Sequence, residues 1–163
     1  MARVAKIDFN GDSNVGLYSV ASDSFCLVGK SVSEKDVAVI KDILGVPVIQ
    51  ANVYGTSLVG IFAVACKNVL LIPDVIFDNE LEYICSEAAK IGVEVKLLKT
   101  ENTALANNIL CNDKKGFFSL RFTKATCEKV ANLLGIKAIR IDLADTETPG
   151  SVGVLINDGA IFS

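Results

Sequence analysis

The chain has 163 residues, of which 51% are hydrophobic and 21% charged, and its net charge is −3. This composition is typical of a globular protein with a sizeable core and excludes an intrinsically disordered chain. The longest apolar run, residues 54–66, contains two glycines and is too short to span a bilayer, and no apolar segment follows the N-terminal charges as in a signal peptide. We therefore expect a cytoplasmic protein with no membrane partner.

The first predicted unit opens with a hairpin. Residues 15–20 and 25–28 are rich in strand-forming side chains and flank a Ser-Asp-Ser turn. Ser33 is placed to cap a helix, whose apolar face is formed by Val37, Ile40 and Leu44. Gly45 then ends the helix, because glycine readily adopts the left-handed conformation of a C-cap, and a strand is predicted over 46–53.

The second unit repeats this order. Residues 61–65 and 69–72 predict a hairpin around Lys-Asn, and Asp78 is placed to cap the next helix. The residues predicted to face inward from that helix are Leu81, Ile84, Cys85 and Ala88. Gly92 follows the helix, and a strand is predicted over 93–98.

The third unit has the same elements. Residues 108–111 and 117–120 predict its hairpin, Thr123 is placed to cap its helix, Gly135 ends the helix, and a strand is predicted over 136–143. The residues predicted to face inward are Cys127, Val130, Leu133 and Leu134.

A fourth hairpin closes the chain. Residues 152–156 and 160–162 flank Asn-Asp-Gly at 157–159, a favourable hairpin turn because these residues tolerate positive φ.

Two short phrases recur along these units. The glycines of the Leu/Ile-Gly-Val/Ile phrase stand at 45, 92 and 135, and a Val-Gly pair stands at 15–16, 59–60 and 152–153, with its missing member expected near Ala106. Such a period predicts repeated β-β-α-β units, three complete and one partial, within a single repeat-built domain. The predicted unit boundaries are approximately 9–54, 55–100, 101–144 and 145–163.

One such unit cannot bury both faces of its own hairpin. We expect an α/β (α+β) fold in which copies pack side by side, with strands toward a common centre and helices outside. A closed, propeller-like ring is favoured over an open stack, because closure removes exposed strand edges.

Three segments of the chain resemble a known family. They read Tyr-Gly-Thr-Ser-Leu-Val-Gly at 54–60, Leu-Leu-Ile-Pro at 70–73 followed by Glu-Leu at 80–81, and Asn-Thr-Ala-Leu-Ala-Asn at 102–107 followed by Cys-Asn-Asp at 111–113. In this order and spacing they are similar to the translation initiation factor 6 family, archaeal branch. The resemblance covers the chain from Asn14 onward.

The resemblance implies the pentein fold, with five such units around a pseudo-fivefold axis. It also implies binding to the large ribosomal subunit on its intersubunit face, near the sarcin-ricin loop and a neighbouring ribosomal protein. The expected mechanism is steric exclusion of the small subunit, with a role in large-subunit biogenesis. Such a mechanism requires no enzyme activity, cofactor, metal or small-molecule substrate.

The candidate ribosome-binding residues lie mainly on the loop that joins the second and third units: Asn102, Thr103, Leu105 and Asn107. Asparagines in loops also hydrogen-bond their own turns, and from the residues alone that reading is open. The resemblance favours Asn107, since the family's corner asparagine faces the ribosome, although the corner glycine before it is Ala106 here. Asn14, near the equivalent loop of the first unit, is a further candidate.

Positive charge is concentrated in residues 114–140. Its members are Lys114, Lys115, Arg121, Lys124, Lys129, Lys137 and Arg140, against Glu128 alone, so this segment carries +6 and the remainder −9. Lys114 and Lys115 stand on a hairpin turn and are candidates for contacts with rRNA phosphates, although the segment also fits an ordinary solvated face.

The residue types argue against catalysis. The chain has no histidine, which excludes Ser-His and Cys-His nucleophile pairs, and the Gly55–Gly60 spacing of a phosphate loop is not followed by Lys-Ser/Thr. The five cysteines are scattered without a CxxC pair and are predicted to be small core residues rather than zinc ligands: Cys26, Cys66, Cys85, Cys111 and Cys127.

Two other functions stay open, a self-associating repeat fragment and, less favoured, a guanidino-modifying pentein enzyme. Three complete units and one hairpin are fewer than a five-unit ring requires. We therefore expect a piece of a longer protein, a proteolytic product, or a split or shortened variant that associates with itself.

Overall fold

The computed structural model describes residues 4–143, 145–156 and 159–162, and the predicted β-β-α-β unit occurs in it three times, followed by a further hairpin. Unit 1 consists of α1 (Val15–Tyr18), β1 (Ser19–Ala21), β2 (Cys26–Val28), α2 (Glu34–Leu44) and β3 (Val48–Gln50). Unit 2 consists of α3 (Val59–Phe62), β4 (Val64–Cys66), β5 (Val69–Pro73), α4 (Asp78–Lys90) and β6 (Glu94–Leu98). Unit 3 consists of α5 (Leu105–Asn108), β7 (Ile109–Cys111), β8 (Lys115–Phe118), α6 (Lys124–Leu134) and β9 (Lys137–Arg140). The fourth hairpin is a 3-10 turn (Pro149–Ser151), β10 (Gly153–Ile156) and β11 (Gly159–Phe162).

The three complete units have one strand topology. In each, the hairpin strands pair antiparallel and the third strand pairs parallel with the second, giving the orders β1-β2-β3, β4-β5-β6 and β7-β8-β9. The fourth hairpin, β10-β11, forms a two-stranded sheet. The predicted fold class, with three complete units and one partial unit, is therefore confirmed. The turn residues Asn157 and Asp158 of the fourth hairpin lie outside the described residues. The exact boundaries of the units stay a prediction.

Two of the three predicted helix caps are present. The Ser33 hydroxyl accepts from the backbone N–H of Asp36 at 3.2 Å, and the Thr123 hydroxyl accepts from that of Thr126 at 3.1 Å. The third was wrong by one position, because Phe77 is the N-cap of α4 and Asp78 is its first helical residue. Asp78 still stabilises the helix through its charge in the first turn.

The glycines that end these helices have the predicted left-handed geometry. Gly45 and Gly135 are C-caps with φ of 67° and 66°, and Gly92, one residue past the C-cap of α4, has φ of 71°. A side chain at these positions would be strained, which explains why the phrase recurs.

Successive side chains of the central strands β2 and β5 point alternately into two different cores. Leu70 and Ile72 of β5 pack with α4 and with the sheet of unit 1, whereas Val69 and Leu71 pack with α6 of unit 3. In the same way Leu27 of β2 joins the core shared with unit 2. Because β2 and β5 are each covered by their own helix on one face and by the next unit's helix on the other, neighbouring units bury one another's apolar faces.

Two residues predicted to face inward are exposed. Leu44 ends α2, which has no sheet of a preceding unit beside it among the described residues, and its side chain is 46% exposed. Cys85 is also exposed, because the buried stripe of α4 runs through Ile84 and Ala88 and leaves the next residue at its margin.

One-turn helices replace the beginning of each predicted hairpin strand. Residues 15–18, 59–62 and 105–108, partly assigned to strands by the sequence, are helical, and successive short helices contact one another. A methyl group at Gly60 would lie 1.8 Å from the carbonyl oxygen of Gly16, so the backbones touch. These helices form the axis around which the units are arranged.

The fourth member of the Val-Gly series was misplaced. A methyl group at Gly150 would lie 1.7 Å from the carbonyl oxygen of Ala106, the same relation that Gly60 has to Gly16. The recurring axial residue is therefore Gly150, in Pro-Gly, and not Gly153 in the strand that follows.

Two lysines of unit 2 donate hydrogen bonds to backbone carbonyl groups at the C-terminal end of helix α6 in unit 3. Lys96 Nζ donates to the carbonyl oxygen of Leu133, and Lys67 Nζ donates to that of Gly135, both at 2.9 Å. The helix has no basic residue in its own last turn, so the neighbouring unit supplies the cations that its dipole favours.

We expect Lys96→Met to lower the free energy of unfolding by about 1 kcal/mol, because the carbonyl oxygen of Leu133 loses a charged donor while the aliphatic stem is kept. Urea denaturation measures the change. Lys90→Met is the matched control, since that lysine also lies in the last turn of a helix but pairs with Glu87 on an exposed surface, and it should lower the free energy of unfolding clearly less. Equal effects of the two substitutions would contradict this role of Lys96.

Candidate functional site

The units present two different ends. The junction end contains the loops between units, residues 10–14, 52–57, 99–104 and 145–148, together with the N-termini of the long helices. The hairpin end contains the turns at 22–25, 67–68 and 112–114, beside which the third strands begin; for example, Lys137 N donates to the carbonyl oxygen of Lys114 at 3.1 Å. The candidate residues are divided between these ends.

Tight turns shape the junction end. Tyr54 and Gly55 have φ of 56° and 74°, and Asn10 and Gly11 have φ of 57° and 86° at the equivalent place in unit 1. The Glu80 carboxylate fixes the first of these turns by accepting from Gly55 N at 2.9 Å. The junction end is thus built from short, hydrogen-bonded turns.

The loop of unit 3 and the one-turn helix after it hold four of the predicted residues together. Asn102 and Thr103 lie on the loop as expected, whereas Leu105 and Asn107, expected on the loop, lie in α5. The side-chain amide of Asn102 donates to the carbonyl oxygen of Arg121 at 3.4 Å, and the carbonyl oxygen of Thr103 accepts from Leu105 N at 2.9 Å. Leu105 is fully buried in the core between units 2 and 3, so it anchors the loop and presents no side chain to a partner. Asn102, Thr103 and Asn107 are half-buried.

Asn108 is a residue that the sequence reasoning missed. Its side chain is buried, and its amide nitrogen donates to the carbonyl oxygen of Ala104 at 2.9 Å, across the one turn of α5. Its Oδ1 has no hydrogen-bond partner among the described residues. The sequence does contain a signal for it: Asn108 is the last residue of α5, and the same position in α1 and α3 is held by the aromatic residues Tyr18 and Phe62.

Asn14 lies at the equivalent corner of unit 1. Its backbone N–H and its side-chain amide both donate to Asp12 Oδ1, at 2.8 and 2.9 Å, and Tyr18 donates its hydroxyl to Asp12 Oδ2 at 3.1 Å. The hydrogen bonds from Asn14, and then that from Tyr18, lower the pKa of Asp12 below its ordinary value of 3.8. The same contact raises the pKa of Tyr18.

A carboxylate whose pKa is lowered in the folded state stabilises the fold above its unfolded pKa and loses that contribution as the pH falls through the folded pKa. We therefore expect wild type to be more stable than Asp12→Asn at pH 7, with the difference closing as the pH falls below about 4. Urea denaturation across this range tests the expectation. A difference that does not change with pH would show that the charge of Asp12 is not responsible.

Lys114 and Lys115 lie at the hairpin end, separated from the asparagine loop by the length of β7. The basic segment 114–140 therefore does not form one patch. Lys137 lies opposite Lys115 on the neighbouring strand at the hairpin end, whereas the side chains of Arg121 and Arg140 make their contacts at the junction end.

Three cations of the junction end are engaged within the protein. Arg121 Nε donates to Glu147 Oε2 at 2.8 Å, Arg140 Nε donates to the carbonyl oxygen of Phe122 at 2.8 Å, and Lys30 lies 5.1 Å from the ring centre of Tyr83. Binding to bare RNA through these cations would have to displace existing contacts, which favours a composite target.

Exposed aromatic rings add an apolar part to the junction end. Tyr54 and Phe77 are each 50% exposed, and their ring centres are 5.3 Å apart. The pair could not be recognised in the sequence, because 22 other residues separate Tyr54 from Phe77 and only the fold brings the turn beside the N-cap of α4.

In the described ranges, no group of three or more Cys, Asp or Glu side chains is arranged to hold a metal ion. No helix in the same ranges is long and apolar enough to cross a membrane.

Comparison with solved structures defines the class of fold. Over 91% of this chain and 59% of the other, the backbone is similar to that of DDAH from Pseudomonas aeruginosa, a mutant complexed with citrulline, with a TM-score of 0.55 and 9% sequence identity. At this identity the likeness shows the fold alone. The chain is a pentein-fold repeat protein.

Comparison with sequences defines the family. The model of the eIF-6 family matches residues 4–163. Translation initiation factor 6 of Thermococcus onnurineus and that of Pyrococcus abyssi are each 32% identical to the chain over 160 residues, which cover 97% of this chain and 70% of each relative. The chain belongs to the eIF-6 family of translation initiation factors.

Proposed function

We propose that this chain binds the large ribosomal subunit on its intersubunit face, near the sarcin-ricin loop, and sterically prevents the small subunit from joining. It would also take part in large-subunit biogenesis and act in the cytoplasm, without catalysis. Membership of the eIF-6 family is the observation that carries the proposal.

The docking surface we propose is the junction end. There Asn102 and Thr103 lie half-buried on the loop before α5, and half-buried Asn107 lies within α5, which buried Leu105 anchors. The side chain of Asn107 makes no hydrogen bond or ion pair with another described residue, so its amide is available to a partner. Tyr54 and Phe77 supply exposed aromatic area, which is common at the centre of protein interfaces.

Charge indicates what kind of target this surface fits. The protein carries −3 overall, and arginines of the junction end are already paired. Such a surface suits a ribosomal protein with adjoining RNA better than RNA alone. We expect weak, strongly salt-dependent binding to free rRNA.

Co-sedimentation with purified large subunits tests the proposal, with small subunits as the matched control. The chain should pellet with large subunits at stoichiometric levels and stay in the supernatant with small subunits. Equal recovery with both subunits, or with neither, would contradict it.

A second candidate, self-association, is favoured by the fourth hairpin. Among the described residues β11 has no parallel third strand beside it, and Ile161 is 60% exposed. Light scattering after size-exclusion chromatography tests it. A discrete dimer that does not pellet with large subunits would favour this candidate over ribosome binding.

A further inference from the structure

We propose that the exposed rings of Tyr54 and Phe77, together with the carboxylates of Asp78 and Glu82, receive an arginine side chain from a basic segment of a partner protein. The ring centres are 5.3 Å apart, and each of the two aromatic side chains is 50% exposed. We call these four residues the arginine receptor. The source of the segment, a protein of the large subunit, rests on the proposed function.

Unit 1 has polar residues at the places that the two rings occupy in unit 2. Tyr54 stands in a left-handed turn with φ of 56°, where the equivalent turn of unit 1 has Asn10 with φ of 57°. Phe77 is the N-cap of α4, where unit 1 has Ser33 as the N-cap of α2. The repeated fold therefore does not require an aromatic ring at either place.

Both positions disfavour an aromatic side chain. Positive φ is uncommon for bulky residues, whereas asparagine adopts it more readily. Phe77 makes no side-chain cap hydrogen bond, whereas the Ser33 hydroxyl accepts from Asp36 N at 3.2 Å. Exposed rings that break these local rules are expected where a protein meets a partner.

Charge determines which kind of group the rings attract. Residues 68–89 contain five acidic side chains and no lysine or arginine, and residues 46–66 contain no charged residue. Asp78 and Glu82 are exposed, lie one turn apart on α4 and make no hydrogen bond or ion pair with another described residue. Such a surface repels RNA phosphates and attracts a cation.

Glu80 places a further carboxylate beside the rings. Its Oε1 accepts from Gly55 N at 2.9 Å and so fixes the turn that carries Tyr54. A methyl group at Gly55 would lie 3.3 Å from Phe77 Cε2, so this turn also touches the second ring. Glu80 Oε2 is buried and has no hydrogen-bond partner among the described residues. A cation on the outer faces of the rings would offset this charge.

The protein already holds one cation over a ring of the same helix. Lys30 Nζ of unit 1 lies 5.1 Å from the ring centre of Tyr83 in α4. Arginine suits the arginine receptor better than lysine, because its planar guanidinium stacks on a ring while its N–H groups donate to a carboxylate. Asp78, directly after Phe77 in the chain, and Glu82 supply those acceptors.

Fluorescence anisotropy at low salt tests the arginine receptor with a labelled peptide of alternating glycine and arginine. The matched probe is the same peptide with citrulline in place of arginine, which keeps the planar shape and removes the charge. We expect the arginine peptide to bind at least about tenfold more tightly, with an affinity that falls as salt is added.

The double variant Tyr54→Asn, Phe77→Ser gives unit 2 the residues of unit 1 and leaves the net charge unchanged. It should stay folded, because asparagine suits the turn and serine can cap α4, and it should bind the arginine peptide at least about fivefold more weakly. Leu44→Ser, which removes an exposed apolar side chain at the hairpin end, is the matched control and should bind like wild type.

Asp78→Asn with Glu82→Gln changes only exposed side chains, and it decides the question if the ring variant does not fold. It should also lower the affinity at least about fivefold, whereas Asp23→Asn with Glu34→Gln, which removes the same charge from unit 1, should lower it clearly less.

Equal binding of the arginine and citrulline peptides would overturn the proposal. Wild-type affinity of the folded ring variant, or equal effects of the two pairs of charge substitutions, would overturn it as well. No ribosome is present in the peptide assay, so its failure removes the arginine receptor and leaves the proposed function standing. Failure to pellet with large subunits removes the proposed function instead.

Discussion

Gly60→Ala should lower the free energy of unfolding by about 3 kcal/mol or more. The added methyl group would lie 1.8 Å from the carbonyl oxygen of Gly16 and 2.8 Å from that of Ser19. Both obstacles are backbone atoms of unit 1, so neither can move aside by a change of rotamer. The two short helices would have to separate, and the core shared by units 1 and 2 would open with them.

Gly16→Ala is the matched control for this prediction. Gly16 holds the equivalent place in α1, yet apart from its chain neighbours and the backbone of its own helix no described atom lies within 4 Å of the position that a methyl group would take. Alanine there should change the free energy of unfolding by no more than about 1 kcal/mol, because in a helix it is generally tolerated better than glycine. Urea denaturation of both variants makes the comparison, and equal stabilities would contradict close packing at the axis.

Asn107→Arg should weaken binding to large subunits by tenfold or more, which is the size expected when a bulky charge is forced into the centre of a packed interface. Asn107 is half-buried in α5, directly after the loop of the junction end, so we expect the longer side chain to project into the proposed contact. Co-sedimentation at several protein concentrations gives the affinity. Thermal unfolding of the variant verifies that the fold is retained.

Replacing Lys114 and Lys115 by glutamate tests which end of the molecule binds the large subunit. Both lysines lie at the hairpin end, so binding through the junction end should change less than about twofold. If the lysine pair reduces binding and its salt dependence while Asn107→Arg leaves both unchanged, the hairpin end is the docking surface, and the prediction for the junction end is wrong.

The repeat was predictable because it rests on local chemistry. Ser33 and Thr123 cap helices through their own hydroxyls, and Gly45 and Gly135 end them in a conformation that favours glycine, so each signal can be recognised within a few residues. The parallel pairing of the third strand in each unit is also predictable, because a helix placed between two strands brings the second strand back in the same direction as the first.

The one-turn helices could not be predicted in the same way. Residues 15–18 have the side chains of a strand, and their helical form depends on a neighbouring unit that approaches to backbone contact. The same limit applies to the Gly150 position, to the exposed Tyr54–Phe77 pair and to the lysines that satisfy α6, all of which involve residues distant in the chain. Of the candidate site, the sequence predicted the loop but not that Leu105 is buried or that Lys114 lies at the other end.

A subunit-joining assay, with light scattering as its readout, tests the central claim most directly. The chain is first bound to large subunits and small subunits are then added; the increase in scattering that marks joining should fall in proportion to the fraction of large subunits occupied. The Asn107→Arg variant, at the same concentration, should restore joining. Normal joining on large subunits that demonstrably carry the chain would contradict steric exclusion as its function.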